Sequence, residues 1–591
     1  MQQTMLHVKQ TVHPRCSIRL PVIVILMVAT LGAWVCPSQQ VREKPAVDST
    51  PKLRDITVST GIHFEHMSNP ELRYIVESMS GGVALFDYDG DGWLDIYFTN
   101  ASSVAMALDG RKANGALYHN NHDGTFTDVT DKAGVGYPCW AMGATVADVT
   151  NDGRPDLLIS CFGGVVLYHN NGDGTFSDVT ARSGLSKDSG WATGVAFGDY
   201  DGDGFPDLFV PHYVDLDIHD LPKFGSAKTC EYHGIAVQCG PRGLKGSPDS
   251  LYHNNGDGTF ADVAVQAEVE DSKHYFGLGA VWTDFDNDGK VDLFVANDGE
   301  ANYLYRNQGS GRFKEIGLDS GVAYSEDGIE QANMGLAVGD FENKGRMSIA
   351  ISHFSDEYMA LYRNEGGMNF TDVSHSAGIA HATEPYVGWG DAFLDLDNSG
   401  WLDLVLVNGH VYPQVDNAKL GIHYREPKLV FLNAHDGTFR ESTARVSEAL
   451  TVPQVSRGLA VGDLFNRGAL DIVVENLTGG PQILSSVPDP SHHWVSVELE
   501  GAPRNRLALN ARVRVTANGV TQLGEVRSGG SYLSQSDLRL HFGLGAATSI
   551  DTLEVQWPGG VAQAFHGVAS DHFYRLKQGG VLNPVSYATK K

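Results

Sequence analysis

The chain has little positive charge for its size. Its 591 residues include 43 lysines and arginines but 72 aspartates and glutamates, which gives a formal net charge of −29. Proteins that bind the nucleic-acid backbone need a clustered cationic surface, so this composition argues against a nucleic-acid partner. Two explanations of the acidity remain, namely solubility or carboxylates that hold cations.

Long apolar runs are also scarce, since only residues 20–36 form one. Lys9, Arg15 and Arg19 precede it, which is typical of a secretory signal peptide or, without cleavage, of an N-terminal anchor. The run is short for a transmembrane helix. We therefore expect residues 1–36 to direct export to the extracellular space, the periplasm or the cell surface, and 37–50 to form a linker. Cleavage, lipidation and anchoring all stay open, and an anchor is the only membrane contact expected.

Cysteine is rare, with six residues in all, two of them within the first 36. Cys230 and Cys239 lie nine residues apart in an irregular insertion, and we predict a disulfide that stabilises it. Cys139 and Cys161 flank one predicted hairpin and either pair or remain buried thiols. Neither pair has the close spacing expected of a zinc site.

What the chain does have is a repeated acidic loop of nine residues. A glycine stands five residues before each loop start, another stands five residues after it, and the tenth position is always Ile or Leu. Apolar, β-prone segments flank the loops, and a hairpin such as LYHNNGDGTF at 167–176 follows, so one unit is four strands. The loops begin at Asp87, Asp148, Asp199, Asp284, Asp340, Asp395 and Asp463.

The last unit lacks its outer strand, and residues 53–57 offer a strand that would complete it. The sequence therefore predicts an all-β, seven-bladed β-propeller over 51–487, in which the N-terminal strand closes the last blade. An open solenoid is the alternative, although solenoids have distinct capping repeats. Residues 490–580 alternate in polarity between glycine-rich turns and predict a small β-sandwich or barrel, followed by a tail over 581–591.

The chemistry of the loops favours calcium. Carboxylates stand at positions 1, 3, 5 and 9, a glycine bends the loop at position 6, and position 7 can offer its backbone carbonyl; Ca²⁺ takes six to eight such oxygens. Two carboxylates ~4 Å apart repel by about 4 kcal/mol at an effective dielectric constant of 20, so metal-free Asp-Gly turns are the weaker alternative. Five structural sites are predicted, with these ligands: Asp87, Asp89, Asp91, Trp93, Asp95; Asp148, Thr150, Asp152, Arg154, Asp156; Asp199, Asp201, Asp203, Phe205, Asp207; Asp284, Asp286, Asp288, Lys290, Asp292; and Asp395, Asp397, Ser399, Trp401, Asp403.

In the second and sixth loops Thr150 and Ser399 put a neutral oxygen in place of one carboxylate, which should weaken binding without abolishing it. Two further loops depart more strongly from the pattern. Lys344 and Arg467 replace the carboxylate at position 5. Our hypothesis is that these side chains supply the positive charge that the other loops take from Ca²⁺.

The repeats resemble the FG-GAP (VCBS-like) repeats of integrin α-subunit propellers, whose acidic loops bind calcium. Residues 527–537 (RSGGSYLSQSD) and 555–560 (VQWPGG) are similar to the ASPIC/UnbV domain of the cartilage acidic protein family and its bacterial relatives. The resemblance implies an extracellular, calcium-binding protein that forms adhesive or other interactions. Asn510 stands where the family pattern tends to have glycine.

We therefore expect a binding, adhesion or scaffold module for an extracellular protein or glycan, without catalysis. The alternative is a carbohydrate-active enzyme of the polysaccharide-lyase type, or a glycan-binding lectin, on the same propeller. A lyase would need a base and a charge-neutralising group in one cleft. The candidate bases are His410, His233, His63 and His66, although such histidines are more often structural.

Overall fold

The computed structural model describes residues 50–67, 69, 71–136 and 139–587, which form one unit. The predicted signal segment and nearly all of the predicted linker lie outside the described residues. Within them the fold is all-β, as predicted, with helices of only three to five residues. No helix in the described ranges has the length and apolar character needed to cross a membrane.

Seven four-stranded antiparallel sheets occupy the repeat region, and their strands are numbered in chain order. The strands are β1 Lys52–Asp55; β2 Val83–Phe86, β3 Asp95–Phe98, β4 Ala116–Asn120, β5 Phe126–Asp128; β6 Ala141–Ala147, β7 Asp156–Cys161, β8 Gly164–Asn170, β9 Phe176–Asp178; β10 Ala196–Gly198, β11 Asp207–Val210, the hairpin β12 Glu231–Tyr232 and β13 Ile235–Ala236, β14 Ser250–Asn254, β15 Phe260–Asp262; β16 Gly277–Thr283, β17 Asp292–Asn297, β18 Tyr303–Gly309, β19 Arg312–Glu315; β20 Leu336–Gly339, β21 Ser348–Ile351, β22 Ala360–Gly366, β23 Asn369–Asp372; β24 Gly388–Leu394, β25 Asp403–Asn408, β26 Leu429–Asn433, β27 Phe439–Glu441; and β28 Ser456–Gly462, β29 Asp471–Asn476, β30 Gln482–Val487.

Short helical turns lie in the connections between strands. The α-helical turns are α1 Thr57–Thr60, α2 Val104–Leu108, α3 Thr130–Ala133, α4 Thr180–Ser183, α5 Ala264–Ala267, α6 Gly317–Ser320, α7 Ala380–Thr383 and α8 Thr443–Val446. The 3-10 turns are Ile75–Glu77, Leu185–Lys187, Lys228–Cys230, Pro413–Asn417 and Glu448–Thr451.

The N-terminal strand β1 completes the last sheet, as the sequence predicts. It pairs antiparallel with β30, so that Leu53 lies opposite Ser486, and the strand order of that sheet is β1-β30-β29-β28. The first strands of successive sheets contact one another in the order β2, β6, β10, β16, β20, β24 and β28, and β28 contacts β2. The sheets thus follow one another in a closed cycle, which is consistent with propeller-like repeats.

The glycine that precedes each acidic loop allows these first strands to approach closely. At Gly335 an added Cβ would lie 1.9 Å from the carbonyl oxygen of Trp389 on the neighbouring strand. No side chain fits at that distance, and similar approaches under 3 Å explain six of the seven glycines; Gly279 is the exception, with its nearest atom at 3.7 Å.

Asparagines, most of them buried, tie six of the seven sheets to the one before. The side-chain amide of Asn170, at the end of β8, donates to the carbonyl oxygen of Tyr88 in the preceding acidic loop at 2.8 Å. Asn120 makes the same bond to Leu464 O at 2.9 Å and so joins the first sheet to the last. The other members of the set are Asn254, Asn307, Asn364 and Asn433.

The C-terminal region forms two further four-stranded sheets. Their strands are β31 His493–Glu500, β32 Arg512–Ala517, β33 Val520–Glu525, β34 Leu540–Gly545, β35 Ser549–Gln556, β36 Ala562–Ala569, β37 His572–Lys577 and β38 Leu582–Val585. The strand orders are β34-β31-β37-β38 and β33-β32-β35-β36. Buried side chains of both sheets, including Val495 and Leu553, share one apolar cluster.

The segment 525–539, which ends β33 and leads to β34, lies against the first strands of the repeat sheets. Ser531 N–H donates to Leu336 O at 2.7 Å, and Gln535 N–H donates to Val83 O at 2.9 Å. Hydrogen bonds also reach Ala144, Thr283, Asp391 and Val461, and Gly529 passes beside Ala196. This one segment therefore contacts the first strand of all seven sheets.

We predict that Asn170→Ala destabilises the protein by about 1–3 kcal/mol, because it leaves the buried carbonyl of Tyr88 without its donor. The measurement is the midpoint of urea unfolding. Asn171→Ala is the matched control, since the Asn171 side chain donates to Thr175 Oγ1 and accepts from Ser177 Oγ within its own exposed hairpin. Equal midpoints for the two variants would contradict the role of the buried asparagines.

Candidate metal centre

Each acidic loop connects the first and second strands of its sheet, so all seven lie at the same end of the first strands. Within a loop the first aspartate accepts N–H bonds from the residues that follow it. Asp87 Oδ1 accepts from Gly90 and Asp87 Oδ2 accepts from Gly92, both at 2.8 Å. Gly92 has a φ of 87°, a conformation that glycine adopts without strain. The loop backbone thus fixes the first carboxylate.

The ninth residue is fixed by the neighbouring backbone. Asp95 is fully buried and accepts from Tyr88 N–H at 3.2 Å and Asn120 N–H at 2.8 Å. The same two backbone bonds hold the ninth carboxylate in four further loops, at Asp156, Asp207, Asp292 and Asp403.

The predicted ligands converge in the first and third loops. In each loop, oxygens of the carboxylates at positions 1, 3 and 5 lie within 4.8 Å of one another; these are Asp87, Asp89 and Asp91, and Asp199, Asp201 and Asp203. The ninth residues, Asp95 and Asp207, join separate groupings with position 3 and a histidine. These acidic clusters could bind metal ions. The carbonyl ligands at Trp93, Arg154, Phe205, Lys290 and Trp401 stay predictions.

Histidines that sequence reasoning missed complete these groupings. His119 Nδ1 lies 3.5 Å from Asp89 Oδ2 and 3.3 Å from Asp95 Oδ1. His253 repeats the arrangement in the third loop, 3.4 Å from Asp201 and 3.1 Å from Asp207. The signal was present in the sequence, because a histidine stands at the same place in LYHNN at 117–121, 167–171 and 251–255.

Burial and mutual repulsion both disfavour the charged form of several loop carboxylates. Burial, with the neighbouring carboxylates, raises the pKa of Asp87 to about 6 and that of Asp199 to about 7. In the sixth loop, burial and the loop's other carboxylates raise the pKa of Asp395 and Asp403 well above the ordinary range. Crowded carboxylates favour their neutral form unless a cation neutralises them.

Two oxygens of the predicted ligand sets are buried without a hydrogen bond. Among the described residues, Thr150 Oγ1 and Asp199 Oδ1 have no partner. A buried polar atom without a hydrogen-bond partner destabilises the fold. A cation bound in each of the two loops would supply the missing partner. The residues present therefore fit an oxygen-coordinated ion.

The two divergent loops differ from each other. Arg467 Nη2 lies 2.6 Å from Asp471 Oδ1, and the Asp471 side chain is 0% exposed. Lys344 Nζ instead lies 2.7 Å from Glu342 Oε1, and its side chain is 51% exposed. Arg467 thus places its charge against the buried ninth carboxylate, as hypothesised, whereas Lys344 pairs at the surface.

Neighbouring loops are linked by the asparagine at position 4. Asn466 Nδ2 in the seventh loop donates to Gly92 O in the first at 3.0 Å. The other donors of this set are Asn151, Asn287, Asn343 and Asn398, each to the sixth-position glycine of the next loop. These bonds join the second loop to the third, and they link the fourth, fifth, sixth, seventh and first loops in series; the first and third loops have glycine at position 4 and donate no such bond.

The C-terminal sheets lie against the same loops. Arg512 in β32 lies 3.5 Å from Asp284 Oδ2, and Arg539 donates to Asn466 Oδ1 at 2.7 Å. Asn510 has a φ of 64°, the left-handed conformation that glycine and asparagine favour, and its side-chain oxygen accepts from Asp199 N–H at 3.3 Å.

Both cysteine pairs of the described chain are disulfides. Cys230–Cys239 is bonded as predicted, and Cys139–Cys161, which the sequence left open, is bonded as well.

The candidate histidines take separate environments. His66 and His410 are buried, and burial, with the charge of Arg457, lowers the pKa of each to about 3, so both are neutral. His233 pairs with Asp356 at 2.9 Å on the surface. His63 accepts a bond from Tyr118 through its backbone carbonyl.

The sequence matches known protein families in the repeat region and in the C-terminal region. Residues 87–159, 148–210 and 284–351 match the FG-GAP-like repeat, and residues 501–583 match the ASPIC and UnbV domain. The chain thus contains FG-GAP-like repeats and, near its C-terminal end, a segment that matches the ASPIC and UnbV domain.

The chain is homologous to cartilage acidic protein 1. It is 25% identical to the Mus musculus protein over 526 residues, which covers 84% of this chain and 72% of the relative. It is 25% identical to the Homo sapiens protein over 405 residues, which covers 59% and 58%.

Among solved structures, a lectin of Agrocybe aegerita that recognises non-reducing terminal N-acetylglucosamine aligns with a TM-score of 0.37 and 18% identity. The alignment covers 61% of this chain and 79% of the lectin. A TM-score of that size carries no argument about function.

We predict that Arg467→Gln and Lys344→Gln differ strongly in stability. The first leaves the buried Asp471 carboxylate without its cation and costs about 3–5 kcal/mol, whereas the second breaks an exposed pair worth less than about 1 kcal/mol. Thermal melting of both variants beside the parent protein measures the difference. Equal melting temperatures would show that Arg467 is not a counter-charge within the fold.

Proposed function

We propose that this protein is an exported, calcium-binding, seven-bladed β-propeller that serves as a binding, adhesion or scaffold module. The observation that carries the proposal is the set of acidic loops on one face: the ninth carboxylate of the five loops predicted to bind metal is buried, and carboxylates at positions 1, 3 and 5 converge in the first and third loops. The closed cycle of first strands supports the propeller, with each four-stranded sheet as one blade.

Calcium is the ion that these loops suit best. Their carboxylate, hydroxyl and carbonyl oxygens form a large, hard ligand set supplied by the protein, whereas Mg²⁺ usually keeps several waters. We assign one ion to each of five loops, those that begin at Asp87, Asp148, Asp199, Asp284 and Asp395. The role is structural, because each set comes from one short loop and the C-terminal domain lies against the loops.

Export is supported by the two disulfides, Cys139–Cys161 and Cys230–Cys239, because such bonds persist mainly in oxidising compartments. The expected signal segment at residues 1–36 agrees with this placement. The partner is then an extracellular protein or glycan, and the strong negative charge disfavours nucleic acid.

The second candidate is a glycan-binding or glycan-cleaving protein on the same propeller. A cavity at the opposite ends of the strands from the acidic loops favours the binding form of this candidate. No base paired with a charge-neutralising group was predicted there from the sequence, so we do not assign a reaction.

We predict that the purified protein carries about five calcium ions per chain and that chelation lowers its melting temperature, because the crowded carboxylates then repel without a counter-ion. Elemental analysis and thermal melting with and without a chelator measure both effects. The variant Asp199→Asn/Asp201→Asn/Asp203→Asn should lose one ion. Calcium-free protein with an unchanged melting temperature would contradict the metal assignment.

We expect the protein to bind at least one extracellular matrix protein or glycan in an array, and chelation to weaken that binding by loosening the propeller. The array is probed with the mature chain in calcium and again after chelation. Absence of any ligand under both conditions would contradict the binding function while leaving the metal assignment intact.

A further inference from the structure

A cavity of about 290 Å³ lies at the end of the first strands that faces away from the acidic loops. Its wall includes residues that directly follow second strands, such as Asp298 after β17 and Tyr412 beyond β25. The acidic loops join first to second strands at the other end, so the cavity is separate from the candidate metal centre. Its volume is close to the lower limit of small-molecule pockets, which suits one ring-sized ligand.

The insertion of the third sheet covers part of this cavity. Its hairpin β12–β13 is closed by the Cys230–Cys239 disulfide, and its tip crosses to the fifth and sixth sheets. There Tyr232 Oη lies 2.7 Å from Ser355 Oγ, and the Tyr232 ring packs 5.4 Å from that of Tyr412. These contacts hold the cavity wall in place before any ligand arrives.

Carboxylates and a guanidinium converge on the cavity. Asp298 Oδ2 accepts from the Tyr213 hydroxyl at 2.5 Å, and Glu357 Oε2 accepts from Ala332 N–H at 2.8 Å. Arg242 lines the same cavity and forms no ion pair within 4 Å in the described part of the chain. Donors and acceptors of opposite charge are therefore both available to a ligand.

Aromatic rings supply the apolar part of the wall. Phe354 and Tyr412 are both half-buried and lie 5.9 Å apart, so each keeps some ring surface accessible in the cavity. Rings of this kind pack against the C–H face of a flat or ring-shaped ligand, while the polar groups fix its orientation.

The opposed charges of the cavity wall disfavour a ligand that carries one net charge. A cation would meet Arg242 as well as the carboxylates, and an anion would meet Asp298 and Glu357 as well as Arg242, so like charges oppose both. A neutral ligand with many hydroxyls can donate to the carboxylates and accept from the guanidinium at once. We infer that this cavity binds one neutral pyranose residue at the end of a glycan. This inference rests on the proposed binding function and names its ligand class.

The test is ligand-observed NMR of the full mature chain in calcium, with methyl glycosides of glucose, galactose, mannose and N-acetylglucosamine as probes. At least one probe should bind, and Asp298→Asn and Arg242→Met should each weaken it by about tenfold or more. Asp215→Asn is the matched control, because Asp215 pairs with Lys245 on the exposed part of the same insertion and should leave binding unchanged.

Arg242 lies exposed at the rim of the cavity, so its variant tests the site even where Asp298→Asn fails to fold. No binding by any of the glycosides would overturn the inference, as would unchanged binding in Arg242→Met. Preference for glucuronate or choline, used as charged probes, would also overturn it. Matrix-protein binding that persists when the glycosides fail would reject the sugar site and retain the proposed function.

Discussion

The crowding of carboxylates in the acidic loops, of which the ninth is buried and the first buried or half-buried, is the constraint on which the rest of the structure depends. Two such groups ~4 Å apart oppose each other by about 4 kcal/mol at an effective dielectric constant of 20, and each loop holds several. Backbone N–H groups donate hydrogen bonds to the first and ninth aspartates, as at Asp87 and Asp95, and so partly offset this repulsion. His119 and His253 lie beside the ninth carboxylates of the first and third loops. In the seventh loop a guanidinium, that of Arg467, meets the same need from within the chain.

The loops in turn hold the larger assembly together. Asparagines at position 4 join neighbouring loops, and the bond from Asn466 to Gly92 joins the last to the first. Arg512 and Arg539 connect these loops to the C-terminal domain, whose segment 525–539 reaches the first strand of every sheet. The acidic loops and the C-terminal domain therefore share direct contacts on this face.

The sequence predicted the features that recur in every repeat, and it predicted the strand that replaces the missing outer strand of the last repeat. The all-β class, the acidic loops and the strand β1 that completes the last sheet could all be predicted, because each repeat reinforces the same pattern. Contacts between segments that are distant in the sequence could not be predicted. The packing of residues 525–539 depends on individual residues that follow no repeated sequence pattern. The pairing of Cys139 with Cys161 depends on how close the fold brings the two cysteines. His119 and His253 were visible in the LYHNN pattern, but only the fold shows that this strand faces the acidic loop.

The account depends on divalent ions in five of the seven loops. The most direct measurement is an anomalous difference map from crystals grown in calcium, collected at a wavelength where calcium scatters anomalously. The account predicts a peak in the loops that begin at Asp87, Asp148, Asp199, Asp284 and Asp395, and none beside Lys344 or Arg467. If these five loops are ordered in the crystal and show no anomalous peak, the calcium assignment is contradicted.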